Sequence, residues 1–117
     1  MPEPITLMEK LKLFSEHWSP KIVAGYNGND VMVVKFKGAF PWHKHDTTDD
    51  FFYVLAGRMR LETEHGNVEM AAGDLYVVPK GVMHRPVADE EVHVMLIEPV
   101  GEPNSGDPAT AATKVRI

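Results

Sequence analysis

From residue 21 to residue 98 the sequence is a succession of short segments that favour β-strand, separated by turn-forming residues. The segment 58–64 alternates between apolar and polar side chains, the pattern of a strand with one buried face. Asn27-Gly28 lies between two such segments and is typical of a two-residue hairpin turn. Helical segments do not alternate with these strands, so parallel βαβ units are not expected. The pattern predicts an all-β sandwich, barrel or jelly roll.

The turn residues set the expected limits of each element. A helix is predicted over 7–16, where Thr6 and Glu9 have the spacing of a capping box. Strands are predicted over 21–26, 31–37, 51–55, 58–64, 68–70, 75–78, 84–88 and 92–98. Gly38 is expected to end the second strand, and a further strand is expected to carry the two histidines that follow it. The chain is therefore divided into an N-terminal lead with a short helix (1–20), a barrel (21–98) and an extended tail (99–117).

Composition and charge exclude several classes of function. The 117 residues are enough for one compact domain. The net charge of −5 and the absence of any basic run argue against nucleic acid or an anionic membrane surface as a partner. Without cysteine the chain can form no disulfide, thiolate ligand or thiol nucleophile. The sequence lacks the apolar run of a signal peptide or of a membrane span, so a soluble cytoplasmic protein is expected.

Side chains that bind metals concentrate just after residue 40. His43 and His45 are two positions apart, and on a strand such side chains point to the same face. An acid follows at Asp49 or Asp50, and His84 begins a later predicted strand. Neutral imidazole together with carboxylate suits iron(II), manganese, nickel or zinc. The spacing alone is equally compatible with exposed histidines on one strand face.

Two motifs in this region resemble those of the cupin superfamily. The first runs from a glycine through His-x-His to an acid and a second glycine, and its places are held by Gly38, His43, His45, Asp50 and Gly57. The second runs from a glycine through Pro-x-Gly to a histidine, and its places are held by Gly73, Pro79, Gly81 and His84. The chain is therefore identified as similar to small single-domain cupins of the cupin-2 type.

The resemblance implies a cupin-type double-stranded β-helix, or jelly-roll barrel. It implies that His43, His45, Asp50 and His84 converge inside the barrel on one divalent metal ion, with iron, manganese, nickel and zinc not distinguished. It also implies a homodimer. The family more often has Glu where this chain has Asp50, one methylene shorter. Asp50 is therefore expected either to bind the ion directly or to support a ligand from outside the coordination sphere.

The inward strand faces are expected to enclose a small, mainly apolar pocket. Phe52 and Val54 are candidates to line it, and His93 either lines its mouth or has a structural role. Phe40 and Trp42 alternate with His43, so they are expected to face outward or to form a dimer contact.

Such a site favours a mononuclear metal enzyme of dioxygenase, isomerase or decarboxylase type acting on a small molecule. No side chain stands out as catalytic apart from the ligands. The alternatives are a non-catalytic module that binds or senses a small ligand, and a barrel whose metal is purely structural.

Overall fold

The computed structural model describes residues 2–117, which form one short helix and eight strands. In chain order these are α1 (Leu7–Leu11), β1 (Lys21–Tyr26), β2 (Asn29–Ala39), β3 (Asp50–Ala56), β4 (Arg58–Thr63), β5 (Gly66–Ala71), β6 (Leu75–Val78), β7 (His84–Pro99) and β8 (Val115–Arg116). Hydrogen bonds join the strands in the order β5-β4-β7-β2-β1-β8, and β3 lies between β6 and β7. This β-barrel confirms the predicted fold class.

The strand β7 joins the two halves of the barrel. One of its edges pairs with β2 along most of its 16 residues. On its other edge, residues 84–87 pair with β4 and residues 93–97 pair with β3. The sequence analysis predicted two separate strands here, 84–88 and 92–98, and the acids between them, Asp89 to Glu91, are exposed. They instead lie within one continuous strand, opposite the point where the register of β2 shifts.

The N-terminal helix is shorter than predicted, since α1 ends at Leu11 rather than at residue 16. Lys35 of β2 accounts for this end. Its buried ammonium donates to the carbonyl oxygen of Phe14 at 2.6 Å and lies 4.8 Å from the centre of the Phe14 ring. The Lys35 carbonyl in turn accepts the amide hydrogen of Trp18 at 2.9 Å. Residues 12–20 therefore have no regular secondary structure, and contacts with Lys35 hold them beside β2.

The start of α1 also differs from the prediction. Thr6 precedes the helix in an extended conformation, and its hydroxyl makes no capping hydrogen bond, so the capping box does not form. Leu11 anchors the helix by packing with Phe14, Val23 and Val33 in a small second core. Among the residues described, there is no helix with the length and apolar character needed to cross a membrane.

Two predictions about the chain leading to the histidines were wrong. Gly38 does not end β2, which continues to Ala39. A β-bulge between Phe36 and Gly38 sets Lys37 of β2 against three residues of β7, Asp89 to Glu91, and Gly38 adopts a φ of 88° there. The histidines also lie outside any strand, because Pro41 has no amide hydrogen with which to continue a ladder. Only an isolated bridge at His43 interrupts the irregular segment between β2 and β3.

The C-terminal residues fold back onto the barrel. β8 pairs in parallel with β1, and the amide of Ile117 donates to the carbonyl of Ile22 at 2.9 Å. The ammonium of Lys114 lies 3.0 Å from a carboxylate oxygen of Glu98 and also donates to the backbone oxygen of Glu102. These contacts fasten the segment after β7 to β1 and to the end of β7. The division of the chain at residues 20 and 98 stays a prediction.

We predict that Gly57, which joins β3 to β4, tolerates alanine poorly. Its φ is 89°, and a Cβ there would lie 3.1 Å from the carbonyl oxygen of Glu91 and 3.3 Å from the Cα of Val92. Gly73 is the matched control, because its φ is 94° but a Cβ would meet nothing within 4 Å. Gly73→Ala should lower the free energy of unfolding by about 1–2 kcal/mol through backbone strain alone. Gly57→Ala should lower it further in urea titrations, and equal losses would contradict the close approach to β7.

Candidate metal centre

His43 and His84 lie opposite each other at the end of the barrel. Each donates its amide hydrogen to the other's carbonyl oxygen, at 3.0 and 2.9 Å, although they are 41 positions apart in the sequence (84 − 43). Their ring centres are 4.5 Å apart. The isolated bridge therefore holds both imidazoles on the same side of the chain without a continuous strand.

His45 reaches the same point from the loop after His43. Its carbonyl oxygen accepts the amide hydrogen of Gly81 at 2.7 Å, so the turn that leads into β7 also fixes this histidine. Gly81 has a φ of 83°, a conformation that favours glycine. The side chain of His45 is only 1% exposed. The places of His45 in the first motif and Gly81 in the second thus have a direct structural cause, the hydrogen bond between their backbones.

Backbone carbonyl groups orient two of the three imidazoles. Nδ1 of His43 lies 2.9 Å from the carbonyl oxygen of Pro41, and Nδ1 of His84 lies 2.8 Å from that of Val82. A carbonyl oxygen only accepts hydrogen bonds, so both Nδ1 atoms act as donors. The Nε2 atom of each ring is left to face other groups in the cluster.

Asp50, the first residue of β3, supplies the carboxylate. Its Oδ2 lies 2.8 Å from Nε2 of His84 and 3.3 Å from Nε2 of His45. Burial raises the pKa of the Asp50 carboxyl, but its contacts with the two imidazoles outweigh burial and hold that pKa below its ordinary value. Asp50 is therefore an anion at neutral pH, and despite being shorter than Glu it extends into the histidine cluster.

The two histidines of the first motif differ in their protonation. Burial lowers the pKa of His43 to about 4, so its imidazole is neutral at pH 7. Burial also lowers the pKa of His45, but the adjacent Asp50 carboxylate more than offsets it, and the net change is upward. The His43 ring therefore offers a lone pair at neutral pH, whereas the His45 proton is favoured by a neighbouring negative charge.

The four side chains fit a divalent metal ion. One ligand atom from each of His43, His45, Asp50 and His84 lies within 4.8 Å of the others. Both ring nitrogens of His45 are buried, and within the described residues neither has a hydrogen-bond partner. Such an unpartnered group is costly, and an ion at the centre of the cluster would engage its Nε2. Three imidazole nitrogens and one carboxylate oxygen suit a first-row divalent ion.

A narrow cavity of about 30 Å³ opens beside the cluster, with room for roughly two water molecules. His43 and Asp50 form one polar end of its lining, and Glu98 and Asn104 contribute further polar groups. The remaining walls are apolar and mostly aromatic: Trp18, Pro20, Phe36, Phe40, Phe52, Pro86 and Leu96. A ligand that entered this cavity would meet His43 and Asp50 beside an apolar wall.

A family model described as the cupin domain matches residues 30–98, more than half of the chain. The chain is a cupin. The motifs that carried the resemblance in the sequence lie inside the matched segment, and so do the loop and the two strands that carry the four clustered side chains. The resemblance to small cupins is therefore confirmed.

Two proteins of known structure are similar over most of the chain, and a curated protein is similar over about half of it. A cupin-2 domain protein from Shewanella frigidimarina is 42% identical, with 81% of this chain and 93% of that chain covered and a TM-score of 0.80. Protein NMB1881 from Neisseria meningitidis is 32% identical, with 82% and 98% covered and a TM-score of 0.75. The uncharacterized protein YdbB of Bacillus subtilis is 30% identical over 64 residues, which span 54% of this chain and 57% of YdbB.

The structure places the other candidate site residues in different surroundings. Phe52 lines the cavity of this cupin, whereas Val54 is fully buried in the barrel core. His93 lies away from the cavity, where its Nε2 is 2.9 Å from a carboxylate oxygen of Glu91. Asp49, the other candidate acid, is exposed and accepts the amide hydrogen of Lys80 at 3.0 Å.

Several cavity residues were missed by sequence analysis. Phe40 was expected to face outward, but the irregular chain around Pro41 breaks the alternation, and its ring lies 5.1 Å from that of Trp18 at the cavity wall. Glu98 could have been predicted from the sequence, because it continues the alternation of inward-facing residues that includes Val94. In the structure it is 3% exposed. Burial and the charge of Asp50 raise the pKa of Glu98, and the Lys114 ammonium only partly offsets this.

We predict that His43 makes the metal-free protein less stable as the solution is acidified. Its pKa is about 4 in the folded protein and about 6.5 when unfolded, so between these values only the unfolded chain takes up a proton. Stability should therefore fall as pH decreases from 6.5 to 4. The loss should be about 2 kcal/mol after discounting for partial exposure, at 1.36 kcal/mol per pKa unit.

The measurement is urea unfolding of the chelator-treated protein at pH 7 and pH 4.5, compared with His43→Gln. Glutamine cannot titrate in this range, so the variant should lose less stability on acidification than the unsubstituted protein. The other acids titrate in both proteins and cancel in the comparison. The same loss in both would show that His43 is not held neutral by its surroundings.

Proposed function

We propose that this cupin binds one divalent metal ion through His43, His45, Asp50 and His84 and uses it to bind and transform a small molecule. The observation that carries the proposal is the convergence of four donor groups, from two distant sequence motifs, at the polar end of an apolar cavity. Dioxygenation, isomerisation and decarboxylation are the reaction types such a centre supports. A cytoplasmic location stays a prediction.

The side chains around the cluster have distinct roles in this proposal. The Pro41 and Val82 carbonyls hold the imidazoles of His43 and His84 so that Nε2 of each is available as a ligand. The aromatic walls restrict water and offer flat apolar surfaces to a ligand. Bound at the cluster, the ion would supply Lewis acidity to an oxygen atom of that ligand.

A second candidate function is a metal-dependent binding or structural role without turnover. It is favoured by the small size of the cavity, since about 30 Å³ leaves room for roughly two water molecules beside the cluster. The two candidates differ in one respect. An enzyme must admit its substrate to this cavity, whereas a structural metal centre needs no such access.

We predict that the purified protein takes up one equivalent of Fe²⁺, Mn²⁺, Ni²⁺ or Zn²⁺, measured by elemental analysis after dialysis. His43→Ala, Asp50→Ala and His84→Ala should each weaken binding by at least tenfold, because each removes one of four ligands. His65→Ala is the control, since His65 lies in the exposed turn between β4 and β5 and should leave metal uptake unchanged.

The proposal would be contradicted if the unsubstituted protein took up no metal. It would also be contradicted if the three ligand variants bound metal as tightly as His65→Ala. Oxygen consumption and substrate turnover over a panel of small molecules then separate an enzyme from a binding or structural barrel.

We also propose that the protein forms a homodimer through β6. Leu75 and Val77 on this strand are 53% and 39% exposed. In the part of the chain that the structure describes, β6 pairs with β3 alone, so its outer edge has no strand partner. A second copy would cover both the open edge and the apolar side chains. Phe40, considered from the sequence as a dimer contact, instead lines the cavity.

Sedimentation equilibrium should therefore show a dimer for the unsubstituted protein and a monomer for the double variant Leu75→Lys, Val77→Lys, because the charges would be buried on pairing. Val100→Lys is the control, since Val100 is 67% exposed and lies outside β6. A dimer that persists in the double variant, or a monomeric unsubstituted protein, would exclude this interface.

A further inference from the structure

The three imidazoles of the cluster are not oriented in the same way. Nδ1 of His43 and Nδ1 of His84 each donate to a carbonyl oxygen two residues earlier in the chain. Nδ1 of His45 is also buried, but it has no hydrogen-bond partner among residues 2–117. Histidines that bind metals through one ring nitrogen usually donate the other N–H to an acceptor that fixes the ring.

A carboxylate from the C-terminal tail approaches this atom. Oε2 of Glu102 lies 3.5 Å from Nδ1 of His45, slightly beyond a hydrogen bond. The side chain of Glu102 is 16% exposed, so it points inward and not into solvent. A movement of about 0.6 Å would bring the two atoms to the 2.9 Å typical of an N–H···O bond. Glu102 lies beyond the segment 30–98 that matches the cupin domain.

The tail holds Glu102 in this position through contacts on both sides. The Lys114 ammonium donates to the backbone oxygen of Glu102 and also binds Glu98 at 3.0 Å. Gly106 packs directly on the histidine loop, where an added Cβ would overlap the backbone oxygen of Lys44. Its φ of 76° also favours glycine. The segment that carries Glu102 is therefore fastened to the loop that carries His45.

We propose that Glu102 is a positioning residue for the metal centre, accepting the Nδ1 hydrogen of His45 and so directing His45 Nε2 toward the ion. This rests on the proposed metal-binding function. A carboxylate that accepts the Nδ1 hydrogen raises the basicity of Nε2, and so its strength as a metal ligand, more than a neutral carbonyl does. His45 would then differ from His43 and His84 as a ligand. The tail would be an integral part of the centre, since it supplies both this acceptor and Asn104 of the cavity wall.

The test is a titration with Co²⁺, in competition with a chromophoric chelator, of the unsubstituted 117-residue chain and four variants. Glu102→Ala removes the acceptor, and Glu102→Gln keeps an acceptor oxygen but removes the charge. Gly106→Ala displaces the tail without touching a ligand. Glu90→Gln is the matched control, because it removes the same charge from an exposed position on β7.

Glu102→Ala and Gly106→Ala should each weaken Co²⁺ binding by about 10- to 100-fold, the usual effect of losing such an outer partner. Glu102→Gln should fall between these and Glu90→Gln, which should match the unsubstituted protein. The absorption spectrum of the bound Co²⁺ should also change in Glu102→Ala, because His45 is free to tilt. A purely structural role for Glu102 would leave that spectrum unchanged.

The inference and the proposed function fail in different ways. If the unsubstituted protein binds Co²⁺ and the Glu102 variants bind it with the affinity and spectrum of Glu90→Gln, Glu102 does not position His45, although the metal centre stands. If the unsubstituted protein binds no Co²⁺, both the metal centre and the role of Glu102 are overturned. Glu102→Gln has nearly the shape of the native side chain, so it separates these outcomes even if Glu102→Ala folds poorly.

Discussion

A buried carboxylate set among three imidazoles is the constraint on which the rest of this structure depends. Asp50 is 4% exposed, and taking a carboxylate out of water costs several kcal/mol unless partners compensate it. The partners here are His84 at 2.8 Å and His45 at 3.3 Å. The start of β3, the start of β7 and the irregular loop between β2 and β3 must therefore meet at one point, and the barrel is built so that they do.

The long strand β7 connects this point to the rest of the barrel. Its first residue is a member of the cluster, its middle changes partner from β4 to β3, and near its end Glu98 returns to the wall of the same cavity. The chain then turns back, and the tail brings Glu102 and Asn104 to the site. The four clustered side chains thus sit on and beside the strands of the barrel, while Asn104 of the cavity wall comes from a segment fastened by Lys114 and Gly106.

Much of this arrangement could be predicted from the sequence, because it follows from local signals. Turn residues gave the limits of β1 and β6, and two short motifs brought together the four side chains of the cluster. The rest depends on contacts between distant residues. Lys35 of β2 determines where α1 ends, through its contact with Phe14. The C-terminal tail docks through Lys114 and Gly106, although its Gly- and Pro-rich sequence has no periodicity. The roles of Trp18 and Glu102 follow from these contacts and leave no pattern in the sequence.

The most direct test of the account is a crystal structure of the protein loaded with Mn²⁺ or Zn²⁺, with diffraction recorded at the absorption edge of the ion. The account predicts one anomalous peak inside the barrel, about 2.1 Å from Nε2 of His43, His45 and His84 and from a carboxylate oxygen of Asp50. A peak that lies elsewhere on the protein, or a loaded crystal in which these imidazoles turn away from one another and bind no ion, would contradict it.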